Sequence, residues 1–125
     1  MNYLFLAYPN CVTCKNAQKW LDQHGIAYTL RHIVEDRPTA AEIKAWHAMS
    51  GLPLRRFFNT SGLVYKSLKL KDRLDGMGDE EQVELLASNG MLVRRPILVG
   101  DDFALVGFKP PKWEAKLLAA EQLGE

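Results

Sequence analysis

The sequence predicts an α/β domain: a small four-stranded mixed sheet flanked by helices and interrupted by an all-helical insertion. Three observations carry this expectation. Two short apolar runs suited to buried strands, Tyr3-Leu4-Phe5-Leu6-Ala7 and Ala27 to Ile33, bracket one helical stretch. The middle of the chain, about residues 39–90, shows helical spacing and cap residues without a strand pattern. The last third holds the triplets Ile97-Leu98-Val99 and Ala104-Leu105-Val106 around the turn Gly100-Asp101-Asp102, followed by a helix.

The elements follow in order. Tyr3 to Ala7 reads as the first strand. A helix from about Val12 to His24 carries Ala17, Trp20, Leu21 and His24 at helical intervals and stops at Gly25, a C-cap residue. Ala27 to Ile33 reads as the second strand, ending before Asp36-Arg37-Pro38. A β-α-β opening of this kind favours parallel strands joined by a right-handed crossover. Thr39-Ala40-Ala41-Glu42 is a capping box for a helix through Ile43, Trp46, His47 and Ser50, closed by Gly51. Pro53 to Phe58 suggests a short helix, Asn59 to Gly62 a loop, and Tyr65 to Leu74 another helical segment. Asp79-Glu80-Glu81-Gln82 is expected to cap a helix through Val83, Leu85 and Leu86 that ends near Asn89-Gly90. After the hairpin, Pro110-Pro111 opens a terminal helix with Trp113, Leu117 and Leu118, since proline is tolerated in a first helical turn.

A chain of 125 residues, 47% apolar and 25% charged, suits one globular domain with its own core. A formal net charge of +1 gives no electrostatic ground for a nucleic-acid or membrane partner. The N-terminal apolar run is short and lacks a basic flank, so neither a signal peptide nor a membrane span is expected. With two cysteines, a disulfide scaffold is excluded and a cytoplasmic location is expected.

Both cysteines lie in Pro9-Asn10-Cys11-Val12-Thr13-Cys14-Lys15, between a strand and the first turn of a helix. A helix N-terminus offers unpaired N–H groups and about half a positive charge, which favour thiolate over thiol. The thiolate is the nucleophile, so the placement suits thiol–disulfide exchange. Spacing i, i+3 puts the two sulfurs within bridging reach. The competing readings are two small apolar fillers or a zinc site. The latter lacks a second Cys pair or a closely spaced His pair, so no metal is expected. Backbone N–H groups of Val12, Thr13 and Cys14 could cradle an anion. Asn10 and Thr13 either shape that loop or act as plain turn and cap residues. Lys15 either adds positive potential near Cys11 or is simply solvated. His24, His32 and His47 stand at no ligand spacing, and Trp20, Trp46 and Trp113 fall on apolar helix faces. Arg55-Arg56 and Lys66, Lys69, Lys71 and Arg73 read as solvated faces, with a partner-binding surface as the alternative.

The order of elements is a thioredoxin-like (glutaredoxin-like) plan. With Arg94-Arg95-Pro96-Ile97 ahead of the third strand, the chain resembles the arsenate reductase/Spx family of thioredoxin-fold proteins. The resemblance runs from Cys11-x-x-Cys14 through the helical insertion to Arg95-Pro96 and the final hairpin. Phe57-Phe58-Asn59-Thr60-Ser61-Gly62, then Tyr65, with Leu85-Leu86-Ala87-Ser88-Asn89-Gly90 later, look like the Gram-positive-type branch of that family. It implies a single domain over 1–125, with the thioredoxin-like core at about 1–38 and 91–120 and the insertion at about 39–90.

The resemblance also implies roles. Cys11 would be the nucleophile, Cys14 the resolving thiol and Arg95 the arginine beside them, with Arg95–Pro96 a cis bond. Asn10, Val12, Thr13, Lys15 and Pro96 would shape the substrate or anion site. Arg94 is expected to point away into solvent, because successive strand residues face opposite sides. The other two arginine positions of glutaredoxin-dependent arsenate reductases fall on Asn59 and near Gly107. Those enzymes also tend to have serine where this chain has Cys14. Two functions follow as expectations. One is a monomeric thiol oxidoreductase acting on a small oxyanion or a disulfide, without tightly bound cofactor and recycled by glutathione, glutaredoxin or thioredoxin. The other is an Spx-like redox-sensing regulator that binds RNA polymerase. A member that keeps the fold with little activity is the third.

Overall fold

The structure, a computed structural model, describes residues 2–118. Its strands are β1 (Tyr3–Ala7), β2 (Tyr28–His32), β3 (Ile97–Val99) and β4 (Ala104–Val106). Its helices are α1 (Val12–Gln23), α2 (Ala40–Ser50), α3 (Leu63–Ser67), α4 (Leu70–Arg73), α5 (Asp79–Ser88) and α6 (Pro110–Leu117). Short 3-10 turns occupy Leu54–Phe57, Leu74–Gly76 and Gly90–Leu92. The sheet order is β2-β1-β3-β4, with β1 parallel to β2 and antiparallel to β3, and β3 antiparallel to β4. This is the thioredoxin-like mixed sheet with an all-helical insertion. The outer part of the expected core, residues 119–120, lies outside the described residues.

Alternation along the inner strands sends side chains to two faces. Leu6, Ile97 and Ala104 join the insertion's Ile43, Trp46, Phe57 and Leu86 in one buried cluster. Phe5, Ala7 and Leu98 join Ala17, Trp20 and Leu21 of α1 and Trp113 of α6 in the other. All three tryptophans are therefore core residues.

Local chemistry sets the helix ends. Thr39 accepts from the Glu42 N–H at 3.1 Å, and Glu42 accepts from the Thr39 N–H at 3.0 Å, completing the capping box. Gly51 closes α2 with φ +70°. Two expectations for the insertion change. The segment Tyr65 to Leu74 breaks at Lys69, whose φ of 56° turns the chain so that Leu70 and Leu74 are buried alongside Tyr65. At α5 the N-cap is Gly78 without a side-chain bond, and Asp79, Glu80 and Glu81 occupy the first turn. They complement the helix dipole there rather than capping it.

The insertion is tied back to the sheet at one seam. Phe58 bridges Val93, the Asn59 N–H donates to Leu92 O at 2.8 Å, and the Arg94 N–H donates to Phe57 O at 2.7 Å. That seam sets Arg56 and Asn59 beside the Arg94-Arg95 segment.

Candidate active site

Cys11 is the N-cap of α1, with extended backbone (φ −99°, ψ 116°). Its Sγ accepts the Cys14 backbone N–H at 3.3 Å. The Val12 and Thr13 N–H groups in the same first turn have no intrahelical acceptor, as at any helix start. Cys11 is half-buried and Cys14 is 2% exposed, and both are free thiols. The Cys14 thiol is pushed up from its ordinary 9.0 to about 12, chiefly by burial and next by its hydrogen bond with Cys11. Cys14 thus stays protonated in the resting protein.

Cys11 opens on a cleft of ≈ 640 Å³. Five cations line it: Arg56 from the first 3-10 turn, Arg94 and Arg95 ahead of β3, and Lys109 and Lys112 from the start of α6. No aspartate or glutamate is among the lining residues, and none of the five cations has an ion pair among the described residues. Arg95 carries the sharpest signal. Its Nε and Nη1 are buried without a hydrogen-bond partner, while its guanidinium lies 5.0 Å from the centroid of the Tyr8 ring. Buried donors of this kind are nearly always satisfied in folded proteins, so the two unpaired nitrogens set Arg95 apart from the other cations of the cleft.

Thr13 joins Cys11 and Arg95 along the cleft. Asn10, Val12 and Lys15 do not line it and are exposed around the helix start. Pro96 is buried behind it, after a cis Arg95–Pro96 bond, and its carbonyl accepts the Gly107 N–H at 2.8 Å. Arg94 is a correction: it lines the same cleft as Arg95. Both residues precede β3 in irregular backbone, with a bend at Arg95, where the alternation of a strand does not apply. Arg56 is a second correction, since the residue read as part of a solvated face lines the cleft. Lys109 and Lys112 carry no site signal in the sequence, and only the docking of α6 brings them there. Asn59 and Gly107 line the cleft as well. Gly107 adopts φ +77°, and its carbonyl accepts the Trp113 indole N–H at 3.1 Å.

His24 stacks on Trp20, His32 caps the Val34 and Glu35 N–H groups, and His47 packs edge-on against Phe57. Among the described residues no group of three His, Cys, Asp or Glu side chains could hold a metal ion. No helix among them is long and apolar enough to cross a membrane.

Fold and site together define a thioredoxin-fold protein with a helix-capping cysteine facing a cationic cleft. The ArsC family model matches residues 6–116, and the chain belongs to that family. It is 46% identical to YusI of Bacillus subtilis over 114 residues, covering 91% of this chain and 97% of YusI. It is 30% identical to the global transcriptional regulator Spx of Staphylococcus epidermidis, covering 80% of this chain and 75% of Spx. The crystal structure of an ArsC-family-related protein from Bacteroides fragilis superposes with TM-score 0.90 at 57% identity, covering 92% and 97% of the two chains. An arsenate reductase from Vibrio cholerae superposes with TM-score 0.81 at 25% identity, covering 94% and 98%. The family thus contains both arsenate reductases and Spx regulators among its members.

Proposed function

We propose that the protein is a thiol-dependent oxidoreductase in which Cys11 is the nucleophile and Cys14 the resolving thiol. The observation that carries this reading is the position of Cys11, half-buried at a helix N-cap and open to a cleft lined by five cations. With a disulfide substrate, the Cys11 thiolate attacks one sulfur and the other half leaves as a thiolate. Cys14 then gives up its proton and attacks the Cys11 sulfur, releasing the second half and leaving a Cys11–Cys14 disulfide. Substrate gains two electrons and the dithiol loses two. With an oxyanion such as arsenate, the Cys11 thiolate displaces one oxygen from arsenic, which leaves as water, while the Arg95 guanidinium faces the remaining oxygens. Cys14 then attacks the Cys11 sulfur, the As–S electron pair stays on arsenic, and arsenite and a Cys11–Cys14 disulfide result. Reduction of the protein disulfide falls to glutathione, glutaredoxin or thioredoxin in a cytoplasmic setting. The decisive measurement is turnover of a disulfide or arsenate coupled to each reductant, with wild type, Cys11→Ser and Cys14→Ala. Loss of turnover in Cys11→Ser supports the assignment; unchanged turnover ends it.

A second reading, a redox-sensing regulator that binds RNA polymerase, is favoured by Asn59 and Gly107 in the cleft where arsenate reductases are expected to have arginine. The likeness to Spx points the same way. Oxidation-sensitive capture of purified RNA polymerase, with no turnover, would replace the enzyme reading. Asn59→Arg probes arsenate specificity better than an arginine at 107, where φ +77° strains any L side chain. A gain of arsenate turnover in Asn59→Arg alone would mean that the native cleft is built for another substrate.

A further inference from the structure

We infer that the cleft selects organic disulfides bearing more than one carboxylate, with Arg94 and Lys112 as specificity determinants. This rests on Cys11 being the nucleophile. A small inorganic oxyanion needs little more than the first turn of α1 and one guanidinium, that of Arg95, on the cleft wall. Four further cations, Arg56, Arg94, Lys109 and Lys112, then face the cleft with no carboxylate on its walls. They come from three separate places in the chain, more cations than one small anion needs. At ≈ 640 Å³ the cleft also far exceeds a tetrahedral oxyanion. Its walls include Leu52, Leu63, Met91, Leu105 and Phe108, which give a carbon skeleton a surface to cover. An oxyanion has no such skeleton. A molecule with an apolar body, carboxylates at more than one point and a reactive sulfur fits all three features. The exchange is balanced as above: the disulfide's sulfurs accept two electrons, each half leaves as a thiol, and Cys11 and Cys14 become the oxidised pair.

The test measures single-turnover modification of Cys11 in the full chain by three disulfide probes. These are dianionic dithiobis(nitrobenzoate), neutral dithiodipyridine and dicationic cystamine, each rate divided by that of free cysteine with the same probe. The fast phase is assigned to Cys11 by its loss in Cys11→Ser. The expected result at low salt is a normalised preference of about tenfold or more for the dianion over the neutral probe. Cystamine should be slowest, and added salt should compress the series. Arg94→Gln and Lys112→Gln should each cut the preference by about threefold or more, a loss of local potential. Lys71→Gln, the same charge change on an exposed helix outside the cleft, should leave it intact. Lys112 is exposed, so its variant keeps the test decisive if Arg94→Gln fails to fold. Equal normalised rates for the three probes overturn the inference while leaving Cys11 a nucleophile. So does a loss in Lys71→Gln matching that in Arg94→Gln. No fast phase with any probe would instead sink the nucleophile assignment itself.

Discussion

Two sulfurs three residues apart occupy opposite environments because one caps the helix and the other starts its buried face. Cys11 meets the cleft; Cys14 sits with Ala17, Trp20 and Leu21 against the sheet. Iodoacetamide at neutral pH should therefore label Cys11 and spare Cys14 until the protein unfolds, as peptide mapping would show. Comparable labelling of Cys14 in the native chain would contradict its burial. Its proton also ties stability to alkaline pH. The unfolded chain releases it near 9.0 and the folded chain only near about 12, so the native state binds more protons in between. Stability must then fall as pH rises through that window. Urea midpoints of Cys14→Ala should decline less steeply there than wild type, with Tyr28 and Lys44 titrating alike in both. Parallel decline would refute it. The cysteine pair and Arg95 were legible in the sequence because a strand, a thiol motif and a helix start sit contiguously. Arg94, Arg56, Lys109 and Lys112 were not, since no local pattern says that the approach to β3, a 3-10 turn and a distant helix line one cleft with Cys11.

Helix α2 shows how one carboxylate joins an element to the sheet. Glu42 completes the capping box and also takes two guanidinium bonds from Arg31 of β2, at 2.7 and 2.9 Å. Arg31 first, and the Thr39 N–H after it, hold its carboxyl down from 4.5 to about 2. As pH falls the unfolded chain takes up the proton first, so this stabilisation is complete above 4.5 and disappears between 4.5 and about 2. Glu42→Gln should cost ~1 kcal/mol at neutral pH, tempered by its partial exposure to solvent, and should flatten the acid limb of stability. An unaltered acid limb would mean that another carboxylate controls it. Gly90 governs the return from the insertion, because a Cβ there would lie 2.1 Å from the Ile33 carbonyl oxygen. Gly90→Ala should cost ~2 kcal/mol or more, read by chemical denaturation, because backbone rather than a pliable side chain must move. The elements legible in advance were those with their own stop signals, such as Thr39 with Glu42 and Gly51. Lys69 carries no such signal: its left-handed turn exists because Leu70 and Leu74 must reach a core assembled from other elements.

At the scale of the whole molecule, the insertion is part of the site rather than an appendage to it. The sheet is the shared wall of two clusters, with Leu6 and Ile97 on the insertion's face and Phe5 and Leu98 on the face of α1 and α6. Cys11 belongs to the α1 side, yet Arg56, Asn59 and Leu63 reach the same cleft from the insertion, across the seam of Phe57 and Phe58 with Val93 and Arg94. The cleft is therefore only as well formed as that seam. Phe57 is fully buried and its carbonyl accepts the Arg94 N–H, so the residue supports both the insertion's core and the backbone carrying two cleft arginines. Phe57→Ala should lower global stability by ~3–5 kcal/mol through lost burial and the cavity left behind. Because both clusters share the sheet, unfolding should remain one transition, with far-UV circular dichroism and tryptophan fluorescence coincident. Trp46 reports from the insertion's cluster and Trp20 and Trp113 from the other, so fluorescence sees both sides. Under conditions where the variant is still folded, its Cys11 should also lose preference for anionic disulfides, since Arg56 and Arg94 are no longer held by a fixed seam. A separate early transition confined to Trp46, with the anion preference intact, would instead make the insertion an independent unit that the site does not need.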